Sequence, residues 1–157
     1  MEALALEDWE SFYRRIDYFL VCGCGLLDGR FCTSARIINC HPGLIPQTRG
    51  LDAFKWCIYK GRPLGVTLHR IDERVDLGTV LHHEPTDVFE EDDLATLAAR
   101  HYNAEVDLVA NFDRYLKGGT ILPLEIQDAT KRMPLEVERE MLRNFETFKR
   151  RSTGGAN

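Results

Sequence analysis

The sequence predicts an α/β fold in which a mostly parallel sheet is covered by helices and followed by a C-terminal helix. Two apolar runs, 18–23 and 36–39, lack polar alternation, which is typical of strands buried on both faces of a parallel sheet. The segment 92–117 repeats apolar residues every three or four positions, as an amphipathic helix does. Strand-like and helix-like segments therefore alternate along the chain, which indicates the α/β class.

The elements before residue 64 follow from apolar spacing and from residues that begin or end helices. The segment 6–14 spaces its apolar residues like a short amphipathic helix. The two apolar runs come next along the chain. Asp52 is a suitable N-terminal cap for a helix over 52–59, and Gly61 followed by Pro63 ends that helix.

The elements after residue 63 are two strands and two helices. The segments 64–71 and 78–86 are strand-like, and the acidic turn 72–77 joins them. The long helix 92–117 begins with acidic residues, which suit the positive end of a helix dipole. Pro134 is placed to begin one more amphipathic helix.

The composition is that of an ordinary globular domain, with 157 residues, 44% hydrophobic and 29% charged. Acidic residues (25) outnumber basic residues (20), and the net charge of -5 disfavours nucleic acid as a partner. The sequence contains no apolar run long enough to span a bilayer, so we expect no membrane association. The first residues are acidic where a secretory signal is basic, which predicts a cytoplasmic protein.

The cysteines predict neither a disulfide framework nor a metal site. An odd number of them in a chain without an export signal indicates reduced thiols. Their spacing matches no usual zinc-binding pattern, so we expect no metal and interpret them as small buried apolar residues. They are Cys22, Cys24, Cys32, Cys40 and Cys57.

The polar residues with the clearest chemical meaning follow the apolar strands. Asn39 and His41 end one strand, and Asp76 lies in the acidic turn after another. Amide and imidazole N–H groups can stabilise the oxyanion of an acyl transfer, and a carboxylate can orient the imidazole and relay a proton. Taken alone, Asn39 and His41 are better explained by a simple turn, because Asn is common at strand ends and a nearby His can simply hydrogen-bond a carbonyl. Asp76 is also consistent with a solvated loop acid, and Asp72 is its alternative.

Four segments together resemble the 10-formyltetrahydrofolate-dependent formyltransferases. They are NCHPGLIP (39–46), RGL (49–51), GVTLH (65–69) and DERVDLG (72–78), in the family's order. This family includes phosphoribosylglycinamide formyltransferase, methionyl-tRNA formyltransferase and the sugar-amine N-formyltransferases. The resemblance covers roughly residues 17–119 and implies a partial Rossmann-like fold of the formyltransferase type.

The resemblance implies folate-dependent transfer of a formyl group from the co-substrate 10-formyltetrahydrofolate to a primary amine of a small molecule, similar to phosphoribosylglycinamide or an amino sugar. In this family pattern Asn39 and His41 stabilise the oxyanion, and Asp76 assists proton transfer. The resemblance also implies that the folate lies along two loops. The corresponding positions are Leu26, Leu27, Ile71, Asp72, Glu73 and Val75.

The resemblance begins part-way through the family's catalytic domain, and we expect the N-terminal half of that domain to be missing. We divide the chain into a formyltransferase part, 1–119, a C-terminal extension with an amphipathic helix, 120–150, and a disordered tail, 151–157. Missing strands would leave an open sheet edge, which favours pairing with a second copy of the chain.

Three hypotheses about function remain open from the sequence. The chain is an active formyltransferase, a catalytically silent remnant of one, or a module that binds folate or a partner chain without turnover. Arg49 is interpreted either as a contact to an anionic acceptor or as a brace for its loop. His69 is interpreted as a core or supporting residue, and the apolar stripe of 92–117 as packing.

Overall fold

Within the described residues, five strands form a single sheet, and their order across the sheet follows their order along the chain. The computed structural model describes residues 8–23, 27–72, 78–121 and 128–154. The strands are β1 (Phe19–Val21), β2 (Ile37–His41), β3 (Gly65–Arg70), β4 (Thr79–Pro85) and β5 (Thr120–Ile121). The α-helices are α1 (Trp9–Phe12), α2 (Gly29–Ser34), α3 (Ala53–Lys60), α4 (Leu94–Ala110), α5 (Leu135–Arg143) and α6 (Phe145–Ser152). In the part of the chain that the structure describes, Tyr13–Arg15 and Phe112–Tyr115 also form 3-10 helices.

The α/β class is confirmed, but the strand directions differ from the predicted mostly parallel sheet. Only the β1–β2 pair is parallel among the described residues; the β2–β3, β3–β4 and β4–β5 pairs are antiparallel. A short connection such as 71–78 joins neighbouring antiparallel strands, whereas the parallel pair has α2 in its crossover. The unbroken burial of β3 therefore reflects cover on both faces, and it does not report strand direction.

The structure adds two elements that the sequence prediction lacked. Helix α2 begins at Asp28, whose carboxylate accepts hydrogen bonds from the backbone N–H groups of Arg30 (2.9 Å) and Phe31 (3.2 Å). This cap makes a helix of only six residues viable where the apolar pattern is too short to indicate one. The second is strand β5, which pairs with β4 over two residues and adds an edge strand to the sheet.

Three apolar clusters fill the space around the sheet. One lies between α4 and the sheet, where Ile38, Val66, Leu68 and Leu108 are buried. A second joins α1 and α2 to the edge strand β1 and includes Ile37. Because Ile37 and Ile38 point to opposite faces of β2, this strand is covered on both sides. The third cluster gathers α3, α5 and α6.

The C-terminal helices pack onto α3 and belong to the same core. Phe145, Phe148 and Lys149 are buried on α6, and this helix continues to Ser152. Residues 151 and 152, which the sequence placed in a disordered tail, are therefore helical. Apolar burial one turn earlier explains why the helix does not end at residue 150.

Lys149 joins α6 to the turn before α4. Its ammonium group donates to the carbonyls of Glu90 (3.0 Å) and Asp92 (2.8 Å) and lies 2.9 Å from the Glu146 carboxylate. The carboxylate of Asp92 is itself held by two hydrogen bonds from Arg100, which with the burial of Asp92 shows that this turn is firmly fixed. Within the described residues, no helix is both long and apolar enough to cross a membrane.

We expect Lys149→Met to lower the free energy of unfolding by roughly 2–3 kcal/mol, because the buried Asp92 carbonyl and the partly buried Glu90 carbonyl lose a charged donor. The matched control is Arg150→Met at the exposed neighbouring position, which should change stability by less than about 0.5 kcal/mol. Chemical denaturation of both variants measures this difference. Equal stabilities would show that Lys149 does not hold α6 in place.

Candidate active site

The structure describes two of the three predicted catalytic residues and three of the six predicted folate-contacting residues. Asn39 and His41 lie on β2, whose odd-numbered side chains share one face of the sheet. Leu27, Ile71 and Asp72 are also described. The predictions for Leu26, Glu73, Val75 and Asp76 fall outside the described residues.

The side chain of Asn39 is held by His69 on the neighbouring strand. The two residues are directly opposite in the β2–β3 register, and Asn39 Nδ2 lies 3.0 Å from His69 Nε2. An amide nitrogen only donates, so Nε2 accepts and this ring carries its proton on Nδ1. His69 is 1% exposed, whereas Asn39 is half-buried. This geometry agrees with the interpretation of His69 as a supporting residue.

The turn after His41 is anchored by a single hydroxyl. Thr67 lies opposite His41 in the register, and its Oγ1 donates to the Gly43 carbonyl at 2.6 Å. The same oxygen accepts a hydrogen bond from the Ile45 N–H at 3.1 Å. Thr67 is fully buried, so these bonds are shielded from water. The buried ring of His41 is thereby held at the end of β2.

Gly43 is required because the turn passes very close to its neighbours. A Cβ at this position would lie 2.7 Å from the Thr48 carbonyl oxygen and 3.0 Å from His41 Nε2. The first distance is a clash with backbone, which a side-chain rotation cannot relieve. The sequence pattern Pro-Gly after His41 therefore reflects a tight packing requirement at the site.

The RGL motif is braced by a segment from the C-terminal part of the chain. The Arg49 carbonyl accepts hydrogen bonds from the backbone N–H (2.8 Å) and hydroxyl (2.9 Å) of Thr130. Gly50 has φ +94°, and a Cβ there would lie 2.3 Å from the Thr130 carbonyl oxygen. These are contacts of the Arg49 backbone, so they fix the loop without deciding between the two interpretations of the Arg49 side chain, which stay predictions.

His101 on α4 is a residue of this region that sequence reasoning treated only as packing. Its Nδ1 lies 2.8 Å from Thr86 Oγ1, and its ring centroid lies 4.9 Å from that of Phe54. Burial lowers the pKa of His101 to about 4; the nearby Pro42 carbonyl opposes this effect, and His41 adds to it. The sequence feature that could have indicated His101 is its polar side chain within an otherwise apolar helical stripe.

The opposite face of β2 carries Cys40 and faces Glu105 on α4. Burial, and secondly the Glu105 carboxylate, raise the pKa of the Cys40 thiol to about 12. Burial also raises the pKa of Glu105 to about 7. A thiol with this pKa stays protonated and is a poor nucleophile, which supports its interpretation as a small buried apolar residue. Cys32 and Cys57 are buried as well, whereas Cys22 is exposed.

Two of the predicted folate-contacting residues meet at one apolar cluster. Leu27 and Ile71 both pack against the cluster that contains Ile37, and the Ile71 N–H donates to the Ile37 carbonyl at 2.9 Å. A groove of about 170 Å³ opens beside β1 at the same place. Its lining consists of Phe19, Leu20, Val21, Cys22, Gly23, Leu27, Phe31 and Ile37.

Within the described ranges, no group of three or more His, Cys, Asp or Glu side chains is arranged to hold a metal ion. The described residues of the site carry amide, imidazole and hydroxyl groups at the end of a strand. Such groups stabilise charge on an acyl oxygen and transfer protons.

Comparison with known proteins decides the family. The family model described as formyl transferase matches residues 15–111. The chain belongs to the formyl transferase family. The matched range contains Asn39 and His41 together with the residues that hold them, and the predicted family is confirmed.

Several curated formyltransferases are similar to this family member over part of their length. Methionyl-tRNA formyltransferase of Anaeromyxobacter dehalogenans (strain 2CP-C) is 32% identical over 104 residues, which are 66% of this chain and 33% of that protein. GDP-perosamine N-formyltransferase of Brucella melitensis biotype 1 is 37% identical over 78 residues, or 48% of this chain and 30% of that protein. The chain thus spans about a third of the length of these relatives.

Solved structures of formyltransferases share the fold. Phosphoribosylglycinamide formyltransferase from Anaplasma phagocytophilum has a TM-score of 0.60 at 28% identity, covering 71% of this chain and 56% of that chain. A 4-N formyltransferase from Francisella tularensis has a TM-score of 0.67 at 22% identity, and the match covers 87% of this chain and 63% of that chain. The second comparison shows the fold alone. The predicted Rossmann-like fold of the formyltransferase type is confirmed.

We expect Thr67→Val to lower the free energy of unfolding by about 1–3 kcal/mol, because the Gly43 carbonyl and Ile45 N–H lose a buried partner. Thr67→Ser is the matched control, since it keeps the hydroxyl and removes only the methyl group. Hydrogen exchange at the Ile45 amide should accelerate in the Val variant and stay close to wild type in the Ser variant. Similar exchange rates in both variants would contradict the anchoring role.

We expect the stability of the protein to fall as pH rises from about 4.5 to 7 through Glu105, because this carboxyl binds its proton more tightly when folded. Glu105→Gln should remove this contribution. When the pH is raised from 4.5 to 8, the free energy of unfolding of this variant should rise by up to about 3 kcal/mol relative to that of wild type. Leu108→Ala, a buried non-titrating change on the same helix, should shift stability equally at both pH values. Chemical denaturation at the two pH values tests this, and parallel behaviour of the Gln variant and wild type would refute it.

Proposed function

We propose that the chain carries the catalytic part of an N-formyltransferase, with 1–119 as the transferase unit. It transfers the formyl group of 10-formyltetrahydrofolate to a primary amine of a small molecule. The observation that carries this proposal is the pairing of Asn39 and the His41 turn with two residues of β3, His69 and Thr67. These groups lie within the range that matches the formyl transferase family.

The roles of Asn39 and His41 follow from how the two side chains are held. When an amine nitrogen attacks a formyl carbon, negative charge develops on the formyl oxygen. One N–H of the Asn39 amide is donated to His69, and the second N–H can be donated to this oxygen. A ring N–H of His41 is the second donor. Each such donor stabilises the developing charge by roughly 2.7–4 kcal/mol when it is held in advance.

Asp76 is proposed to assist the proton transfer. The attacking amine loses one proton, and the folate nitrogen that is released gains one, so the reaction needs a group that relays a proton without consuming it. The chain leaves β3 at Ile71, whose N–H donates to Ile37, two residues before Asn39. Five residues of extended chain reach about 17 Å, so a carboxylate at position 76 is within reach of the Asn39 side.

The groove beside β1 is proposed as part of the folate site. Its lining is mostly apolar, as a flat heteroaromatic ring requires, and it includes the predicted residue Leu27. Ile71 packs against the same cluster, and Asp72 follows it directly, so both loops that the family resemblance indicates meet here. Leu26, Glu73 and Val75 complete the proposed set. When bound, 10-formyltetrahydrofolate supplies the formyl group.

The acceptor is proposed to be a small molecule with a primary amine. Similar proteins carry names that specify different acceptors, namely GDP-perosamine, phosphoribosylglycinamide and methionyl-tRNA. The net charge of -5 disfavours the polyanionic tRNA among these. An amino sugar or a phosphoribosylglycinamide-like amine therefore remains as the acceptor class.

The first test is a thermal melt with a stable analogue of 10-formyltetrahydrofolate. At about 100 times its dissociation constant the ligand should stabilise the fold by roughly 2.7 kcal/mol. Turnover is then assayed with amino-sugar nucleotides and phosphoribosylglycinamide. We expect Asn39→Ala to lower kcat about 10²–10³-fold and His41→Ala to abolish turnover, with both variants folded.

His82→Gln is the control for these variants, because His82 lies on β4 and stacks on Tyr115 at 4.5 Å. Its turnover should match that of the wild type. Stabilisation by the analogue without turnover on any acceptor would instead favour a folate-binding module without activity. No stabilisation at all would reject the folate site and favour the silent remnant.

A further inference from the structure

The RGL loop, residues 49–52, is held by a segment far away in the chain. We call that segment, residues 128–133, the strap. The Leu51 N–H donates to the Thr130 carbonyl at 2.9 Å, and the Thr130 hydroxyl lies 2.8 Å from the Leu51 carbonyl oxygen. The Arg49 carbonyl accepts a hydrogen bond from the Thr130 N–H at 2.8 Å. Both backbone polar groups of Leu51 therefore contact a single residue that lies 79 positions later.

Two further contacts join the strap to the end of the RGL loop and to α3. The Asp52 carboxylate accepts a hydrogen bond from the Met133 N–H at 2.8 Å. The indole N–H of Trp56 on α3 donates to the Lys131 carbonyl at 2.8 Å. Met133 is buried in the cluster that gathers α3, α5 and α6. The strap is therefore anchored in the core, and the loop is anchored to the strap.

The last residue of the RGL loop has a strained backbone. Asp52 has φ +52°, in the left-handed region that is unfavourable for a residue with a side chain. Its carboxylate binds the strap rather than the first turn of α3. Such a conformation persists only where the surrounding contacts impose it, and it is concentrated at sites that bind or react. The strap thus holds the loop in a conformation that the loop would not adopt by itself.

Both ends of the RGL loop lie beside the His41 ring. A Cβ on Gly43 would lie 3.0 Å from His41 Nε2. The same atom would lie 2.7 Å from the Thr48 carbonyl oxygen and 3.2 Å from Ala53 Cβ. Thr48 precedes the loop and Ala53 follows it, whereas the described lining of the proposed folate groove is drawn from residues 19–37. The loop is therefore placed to contact the second substrate, which is the amine.

The side chain of Leu51 is 56% exposed although its backbone is fixed. A sugar ring presents C–H groups to an apolar side chain, while its hydroxyl and amine groups need polar partners. An apolar contact that is already held in place costs less ordering when the ligand binds. We propose that Leu51 contacts the C–H face of the sugar or ribose ring of the acceptor and that the strap holds it there. The inference rests on the proposed function, because His41 marks the place where the amine attacks.

The test compares two variants with a matched control for each. Leu51→Ala removes the proposed contact, and Leu135→Ala is its control because Leu135 on α5 is also 56% exposed. Thr130→Val removes the hydroxyl of the strap and keeps its backbone hydrogen bonds, and Thr130→Ser restores the hydroxyl. Leu51→Ala is a surface change, so it tests the contact even if Thr130→Val fails to fold.

We expect Leu51→Ala to raise the KM of the acceptor amine about 10-fold, the effect of removing methyl groups from an apolar substrate contact. The dissociation constant of the folate analogue should change less than twofold. Thr130→Val should raise the same KM, whereas Thr130→Ser and Leu135→Ala should stay within twofold of wild type. An active Leu51→Ala variant with wild-type KM would overturn the contact and leave the proposed function in place. A wild-type KM in Thr130→Val would overturn the role of the strap.

A second readout does not depend on turnover. The wild-type chain with ¹³C-labelled leucine methyl groups is titrated with GDP-perosamine and with phosphoribosylglycinamide and followed by NMR. At least one of these amines should shift the methyl resonances of Leu51 and leave those of Leu135 in place. This outcome supports the acceptor contact even if no formyl transfer is observed. Leu51 resonances that neither amine shifts would reject the contact, whereas failure of the folate site is read separately from the thermal melt.

Discussion

The hydroxyl of Thr67 is the interaction on which the candidate site depends. One oxygen atom donates to the Gly43 carbonyl and accepts from the Ile45 N–H, so it satisfies two buried backbone groups of the same turn. Neither group has water nearby to replace this partner, because Thr67 is fully buried. The conformation of the turn, and with it the direction of His41, is therefore determined by a residue of the neighbouring strand.

The two faces of β2 have opposite chemistry because side chains alternate along a strand. Asn39 and His41 point to the face on which His69 and Thr67 provide hydrogen-bond partners. Cys40 points to the apolar face below α4, where burial raises its pKa to about 12 and makes it inert. Burial does not distinguish the two faces, because His41 is as buried as Cys40; the difference is that one face supplies hydrogen-bond partners and the other does not. The strand thus separates the proposed catalytic residues from the apolar ones over a distance of one residue.

Local pattern predicted most elements of the fold, and its failures have physical causes. The apolar runs located β1 and β2, but continuous burial arises wherever helices cover both faces of a strand, so it could not reveal the antiparallel pairing of β3. Asn39 and His41 were predicted as site residues because their residue types follow a strand in a specific motif, and their roles stay predictions. The hydrogen bond between His101 and Thr86 could not be predicted, because a histidine in a helical stripe resembles packing. Asp76 stays a prediction.

The contacts that build the site join residues far apart in the chain, and most of them pass through β3. Asn39 depends on His69, and the His41 turn depends on Thr67. Both of these supporting residues lie on β3. β3 is also the strand that pairs with both β2 and β4, and its residues from Gly65 to His69 are buried. A local opening that freed either side chain would have to break the pairing of β3 and expose the core beneath it. The site is therefore as rigid as the centre of the sheet, which is the condition under which hydrogen-bond donors held in advance stabilise a developing charge most effectively.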